Sequence, residues 1–159
     1  MDQNSRRELI SDTGLTSNME DYIETIWVLS MQKKVVRVKD IAADLDIKMP
    51  SVSAALNKLK EMGLIDYEKY GFIELTEKGK SLAQKVYGRH SCLKNFFSEV
   101  LGLDINMAND EACRAEHVLS PEVCVKMGRL LDFYSVERSR GSEWVAKLQS
   151  HLKKAKNTD

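Results

Sequence analysis

The segment Cys113-Arg114-Ala115-Glu116-His117 places a thiol, a carboxylate and an imidazole at i, i+3 and i+4. On a helix that spacing brings all three to one face. It matches the Glu-x-x-His pattern with which packed helices hold metal ions between them. Asp21 and Glu24, also i and i+3, form a second pair near the N-terminus. Nitrogen, oxygen and sulfur donors together point to a divalent transition metal. The three cysteines, Cys92, Cys113 and Cys124, form no CxxC pair and no even set. Neither a disulfide framework nor a finger-type structural zinc is therefore expected.

Helices are needed to position these groups. Ser17-Asn18-Met19-Glu20 reads as a capping box opening a helix whose apolar face is Tyr22, Ile23, Ile26, Trp27 and Leu29. Asp21 and Glu24 flank that face. Val38 to Leu45 reads as a short helix, with Ile41, Ala42 and Leu45 inward. After a turn at 46–49, Pro50 suits the first turn of a helix over 51–62, with Val52, Leu56 and Leu59 buried and Gly63 as its stop. Leu64–Tyr67 and Phe72–Leu75 read as short strands around a Glu-Lys-Tyr-Gly turn. This is a helix-turn-helix followed by a two-stranded wing. Thr76 then caps a long helix to about Leu101, striped by Leu82, Ala83, Val86, His90, Leu93, Phe97 and Val100. A helix from about Met107 to Leu119 carries the Cys/Glu/His cluster. Ser120-Pro121 opens another, with Val123, Met127, Leu130, Leu131 and Tyr134 on its face. A last helix follows the Arg140-Gly141-Ser142 break, carries Trp144, Leu148 and Leu152, and frays into a Lys-rich tail. The fold class expected is mainly α. A winged helix-turn-helix domain with a small β wing, 1–76 including the N-terminal tail, precedes an all-helical metal-binding and dimerisation domain, 77–159.

The 159 residues are 43% hydrophobic and 30% charged, a balance expected of a soluble globular chain. No apolar run approaches spanning length, and Met1 to Thr13 lacks the apolar core of a signal peptide, so no membrane partner and a cytoplasmic location are expected. Formal net charge is +0, but it is unevenly spread. Between Lys33 and Lys80, ten Lys and Arg face eight Asp and Glu, net +2; between Ser98 and Glu122, one Arg faces six acids, net −5. The later segment suits cations better than phosphates.

Several ordered strings together resemble the diphtheria toxin repressor and manganese transport regulator family of bacterial metal-dependent repressors. They are Met-Glu-Asp-Tyr-Ile-Glu (19–24), Asp-Ile-Ala (40–42), Pro-Ser-Val-Ser (50–53), Tyr-Glu-Lys-Tyr (67–70), Leu-Thr-Glu-Lys-Gly (75–79), Arg-His (89–90) and Glu-Ala-Cys-Arg-Ala-Glu-His-Val-Leu-Ser (111–120). The resemblance covers roughly residues 15 to 135 and implies the short, two-domain type, without the SH3-like domain of the larger iron-dependent members. It implies that Asp21, Glu24, His90, Glu116 and His117 fall on ligands of a manganese-type site. The manganese members have Glu where this chain has Cys113. The iron members have Cys there, but Met where this chain has Asp21. The implied site is thus a hybrid, with Mn2+ or Fe2+ as its metal and Zn2+ as an in-vitro competitor. Two ligand positions of the iron members' second site hold Lys94 and Asn109 here, and a protonated Lys does not ligate.

Taken singly, each feature has a plainer reading. First-turn carboxylates complement a helix dipole, a histidine in an apolar stripe packs in a core, Glu116-His117 can be a solvated face, and Cys113 a small packed residue. Their co-occurrence on three helices favours the metal. Cys92 and Cys124 read as structural, and His151 as exposed and idle. For DNA, Lys48, Pro50, Ser51, Ser53, Asn57 and Lys58 on or beside the second helix fit groove and phosphate contact, and Lys39 can reach the backbone. Without a bidentate Arg in that set, phosphate contacts and dimer spacing carry much of the specificity. Phe96, Phe97, Val100, Leu101, Met127 and Leu131 are the expected twofold interface. The reading is a homodimeric, metal-activated repressor of divalent-metal uptake genes that binds a double-stranded operator. No enzymatic activity and no organic substrate are expected. The alternatives are a winged-helix regulator switched by a small organic effector, a winged helix that binds protein, and a metalloenzyme using the same ligands.

Overall fold

The structure, a computed structural model, describes residues 13–68 and 71–154. Residues 1–12, Lys69-Tyr70 and the Lys-rich end from 155 onward, all included in the sequence reading, lie outside them. The chain divides into two compact units after Tyr87. The division falls inside the long helix, eleven residues beyond the boundary expected at 76. The first half of that helix gives Ala83 and Val86 to the core of the first unit.

In the first unit, α1 (Ser17–Gln32), α2 (Val38–Asp44) and α3 (Met49–Glu61) precede β1 (Ile65–Tyr67) and β2 (Ile73–Leu75). The N-cap of α1 is Thr16, whose hydroxyl accepts from the Met19 N–H at 3.4 Å. The sequence placed the cap one residue later. Both residues are capping types, but Leu15 is buried in the core and fixes where the chain enters the helix. Glu20 consequently closes no capping box. It is fully buried and accepts a 2.6 Å hydrogen bond from the Thr13 hydroxyl.

At the start of α2, the Asp40 carboxylate accepts the Arg37 N–H at 2.9 Å and pairs with Lys33 at 2.8 Å. In α3, Pro50 sits in the first turn, and Val52, Ala55, Leu56 and Leu59 form the buried stripe. Gly63 follows at φ 68°, which a glycine adopts without strain. The antiparallel strands pair Ile65 with Leu75 and Tyr67 with Ile73, and these four side chains face inward. Val36 bridges to Ile73 and extends the base of the wing. One continuous core runs from Leu15 through Ile23, Ile26, Ile41, Leu56 and Ile65 to Val86.

The long helix α4 (Glu77–Asn95) starts at Thr76, whose hydroxyl accepts the Gly79 N–H at 3.1 Å. The Thr76 N–H itself donates to the Leu64 carbonyl at 3.1 Å. A Cβ on Gly79 would collide with that carbonyl oxygen, so only glycine permits this approach.

In the second unit, α4 does not continue regularly to Leu101. Residues Phe96–Val100 form a wider π-helical turn, closed by the Leu101 N–H on the Phe96 carbonyl at 3.3 Å. Gly102 then reverses the chain at φ 70°. Asp104 caps α5 (Ile105–Ala115), accepting from the Asn106 N–H at 2.9 Å. Ser120 caps α6 (Pro121–Ser139), accepting from Val123, and α7 (Glu143–Lys154) follows. Two small clusters hold this unit together. Leu93, Ala112 and Cys124 make one, with Phe97 and Met127 against them. Val100, Tyr134 and Val145 make the other, with Phe96, Leu131 and Leu148 against them.

The α6–α7 junction is tied by Glu137. Its carboxylate accepts from the Ser142 hydroxyl at 2.6 Å, Arg140 at 3.0 Å and the Trp144 indole at 3.3 Å. The Ser142 bond is the main reason its carboxyl lies below the usual range. Among the described residues, no helix is long and apolar enough to cross a membrane.

Candidate metal centre

The stripe of α4 and the end of α5 bring three donor types together in the second unit. His90 sits among apolar neighbours in the stripe, as its position between Val86 and Leu93 requires, and is 9% exposed. Helix α5 stops at Ala115, earlier than the Leu119 expected. Cys113 lies in its last turn, Glu116 is the C-cap residue and His117 follows in the turn. Glu116 keeps helical dihedrals, and its N–H still donates to the Ala112 carbonyl. The i, i+3 relation to Cys113 therefore survives the end of the helix.

The Glu116 carboxylate is 1% exposed, so it cannot rely on water for its charge. Oε2 lies 2.8 Å from His90 Nδ1, and Oε1 lies 3.3 Å from His117 Nε2. Cys113 Sγ lies 4.0 Å from the same His90 Nδ1. On the other edge of the ring, His90 Nε2 lies 3.2 Å from Asn109 Oδ1. The ligand atoms of His90, Cys113 and Glu116 fall within 4.8 Å of one another. Donors at about 2.0–2.3 Å from one ion stand roughly 3–4 Å apart. A nitrogen, a sulfur and a buried carboxylate oxygen at these separations fit a divalent transition metal. The apolar packing around His90 keeps them there.

Asp21 and Glu24 lie one turn apart on α1 in the first unit, both half-buried. Burial, together with the neighbouring Asp21 carboxylate, raises the Tyr22 phenol above its usual pKa. Cys92 and Cys124 face each other away from the donors, with Cys92 Sγ 3.8 Å from the Cys124 carbonyl. Burial pushes the Cys92 thiol upward, consistent with packing. A Cβ on Gly128 would lie 3.2 Å from that sulfur, which explains how closely α6 approaches α4. Lys94, on α4, is half-buried, and His151, on α7, is exposed.

In the first unit, Lys48, Pro50, Ser51, Asn57 and Lys58 are exposed on the outer side of α3, with Ser53 half-buried among them and Lys39 exposed on α2. Sequence reasoning missed Arg37. Its guanidinium lies 5.9 Å from the centre of the exposed Phe72 ring of the wing. With Lys39, Pro50, Ser53 and Tyr67 it lines a cavity of about 410 Å³. Arg37 directly precedes α2, three residues before the acidic Asp40. That pattern marks a helix start, but nothing in it announces the ring beneath the guanidinium.

The six residues expected at a twofold interface are mostly occupied within the protomer. Val100 is buried in the core, and Phe96, Phe97, Met127 and Leu131 are half-buried in the same two clusters; only Leu101 is exposed. The exposed apolar side chains of α6 are instead Val123, Val125, Leu130, Phe133 and Val136. Of these, Val123 and Leu130 were expected on the inner face. That inner face is Cys124, Met127, Leu131 and Tyr134, because α6 is apolar on both sides and only one side meets α4 and α7.

Comparison with known proteins agrees with both halves. Residues 14–73 match the iron dependent repressor N-terminal DNA binding domain. Residues 76–144 match the iron dependent repressor metal binding and dimerisation domain. An HTH-type transcriptional regulator of Methanocaldococcus jannaschii is 36% identical over 114 residues, 71% of this chain and 91% of that protein. The HTH-type transcriptional regulator MntR of Bacillus velezensis is 34% identical over 142 residues, 89% of this chain and 96% of that protein. Among solved structures, a manganese-dependent transcriptional repressor in complex with manganese aligns with a TM-score of 0.67 and 28% identity. That alignment covers 72% of this chain and 53% of the other, so the chain spans about half the length of that structure.

Proposed function

We propose, from the premise that this chain belongs to the iron-dependent repressor family, that its metal is held by His90, Cys113, Glu116 and His117 and completed by Asp21 and Glu24. The chain is a metal-dependent, DNA-binding transcriptional repressor that acts as a homodimer, and it is not an enzyme. The observation that carries the ligand assignment is the buried Glu116 carboxylate, with a histidine nitrogen within 3.3 Å of each oxygen and the Cys113 sulfur 4.0 Å from the His90 nitrogen. A bound divalent cation would supply positive charge to this buried carboxylate. Glu116 and His90 are both buried and stand 2.8 Å apart. Asp21 and Glu24, from the first unit, then make metal binding report on the placement of the DNA-reading helix α3. A ligand that binds the DNA-competent arrangement better than others shifts the population toward it.

Manganese and iron are the metals this donor set favours in the cell. The carboxylates are hard donors and Cys113 is a soft one, so zinc binds tightly without giving the same response. The protein acts in the cytoplasm on genes for divalent-metal uptake. Lys39, Lys48, Pro50, Ser51, Ser53, Asn57 and Lys58 contact the operator, joined by Arg37.

The test is binding to a duplex selected by the metal-loaded protein from a random library. It is measured anaerobically across Mn(II), Fe(II) and Zn(II), with and without chelator. Binding should require metal and vanish with chelator. Cys113→Glu should raise the Mn(II) response relative to Fe(II), and Cys113→Ala should weaken both while leaving the helical content intact. Metal-independent binding would support an organic effector instead. Unchanged responses in Cys113→Ala would remove the thiol from the ligand set.

A further inference from the structure

The imidazole of His90 is held at both edges, and the two edges differ in kind. Nδ1 faces the donor cluster, 2.8 Å from Glu116 Oε2 and 4.0 Å from Cys113 Sγ. Nε2 faces Asn109 Oδ1 at 3.2 Å, on the side away from that cluster. We infer that Asn109 is a positioning residue for the metal: its side-chain carbonyl accepts the Nε2–H and so presents the Nδ1 lone pair to the ion. The inference rests on the metal reading given above.

A neutral imidazole has one N–H and one lone pair, and the partner of one nitrogen decides what the other can do. Histidines that ligate metal donate their other N–H to a carboxylate, carbonyl or water, which fixes tautomer and ring orientation. His90 is almost enclosed, so few waters can serve as that partner. Asn109 lies one helical turn before Cys113 on α5. The helix that supplies the thiol therefore also supplies the acceptor that aims the imidazole at it. With the His90 proton on Nε2, the Nδ1 lone pair and the Glu116 oxygen beside it would together hold the ion, and the Asn109 carbonyl would keep that tautomer. An amide at 109 presents either its oxygen or its nitrogen. The metal-bound state selects the oxygen, because only an acceptor pairs with Nε2–H.

The full-length protein is loaded with cadmium-113 and studied by nitrogen-15 correlation spectroscopy of the histidine rings. The expected result is cadmium coupling to His90 Nδ1 and a slowly exchanging proton on Nε2. In Asn109→Leu the Nε2 proton should exchange faster. Co(II) and Mn(II) affinity, measured by competition with a chelating dye, should fall about 10–100-fold. Asn109→Asp, which keeps an acceptor, should restore the slow exchange and most of the affinity. Coupling to Nε2 in the unsubstituted protein would overturn the inference while leaving the metal reading standing, and so would unchanged affinity and exchange in a folded Asn109→Leu. Metal binding with no coupling to His90 at all would overturn both. The spectrum of the unsubstituted protein decides the tautomer even if Asn109→Leu does not fold.

Discussion

The two units bury their apolar residues in opposite ways. The first gathers one continuous core from Leu15 to Val86, fed by three helices, both strands and the start of α4. The second divides its interior into two clusters of three buried residues each. Meanwhile α6 leaves five large apolar side chains in the open, and α5 leaves Ile105 and Met107. A thin interior beside a broad apolar exterior is the pattern of a surface that a second copy covers. In a chain that matches a dimerisation domain over residues 76–144, the outer face of α6 is where that copy is expected, and dimerisation would then add to the second unit's stability.

The largest effect should come from the first core. Leu56 is fully buried in it, and Leu56→Ala should cost about 2–5 kcal/mol, the range for leaving a cavity in a packed interior. Chemical denaturation should show the loss at every protein concentration. A loss that shrinks as concentration rises would mean that the first unit also leans on the partner copy. Next comes the outer face of α6. Phe133 is 56% exposed and stacks on Trp144 at 5.8 Å. Phe133→Asp should weaken the dimer by about 2 kcal/mol, the threshold for a dominant interface residue. That is roughly 30-fold in sedimentation equilibrium. A dimer of unchanged affinity would move the interface off this face and leave the contrast between the units unexplained.

The smallest effect lies at the edge of the first unit. Lys33, more than the Arg37 N–H, holds the Asp40 carboxyl below the usual carboxylate range. A lowered folded pKa gives stability that is complete above the unfolded value, about 3.9, and is lost as pH falls through the folded value. Asp40→Asn should therefore cost about 0.3–1 kcal/mol at neutral pH, as for a helix-start carboxylate. It should melt together with the unsubstituted protein once the Asp40 carboxyl of the latter is protonated in the folded as well as the unfolded state. A difference that persists in acid would assign the effect to packing.

The meeting of His90, Cys113, Glu116 and His117 was legible in the sequence because helical spacing and burial travel together. Cys113, Glu116 and His117 are three and four residues apart, and His90 stands in an apolar stripe that had to face inward. The winged helix was legible for the same reason, with Pro50 and Gly63 marking the ends of α3. Three things were not. The cap of α1 fell between two neighbouring hydroxyl residues, and the burial of Leu15 decided between them. The inner side of α6 was hidden because apolar residues ring the helix, and periodicity alone does not say which side meets its neighbours. Asn109 was noted only for what it could not ligate. Its bond to His90 spans nineteen residues and two helices, and no local pattern carries that.

The π-helical turn at Phe96–Val100 resets the phase of the helix at its C-terminal end. Upstream, His90 and Leu93 are in step with α5 and the first cluster; downstream, Val100 is in step with Tyr134 and Val145. One extra residue in the turn lets both halves of a single helix meet different neighbours at once. Deleting one residue there would rotate everything after it by about 100°. Val100 would swing out of its cluster, and the carbonyls of Glu99 and Val100 would leave the Gln149 amide they now share. Of the donors in this unit only His90 precedes the turn, so α5, with Cys113 and Glu116, would lose its register against it. The turn thus works as the timing gear on the shaft: it sets the phase in which everything after it meets α4.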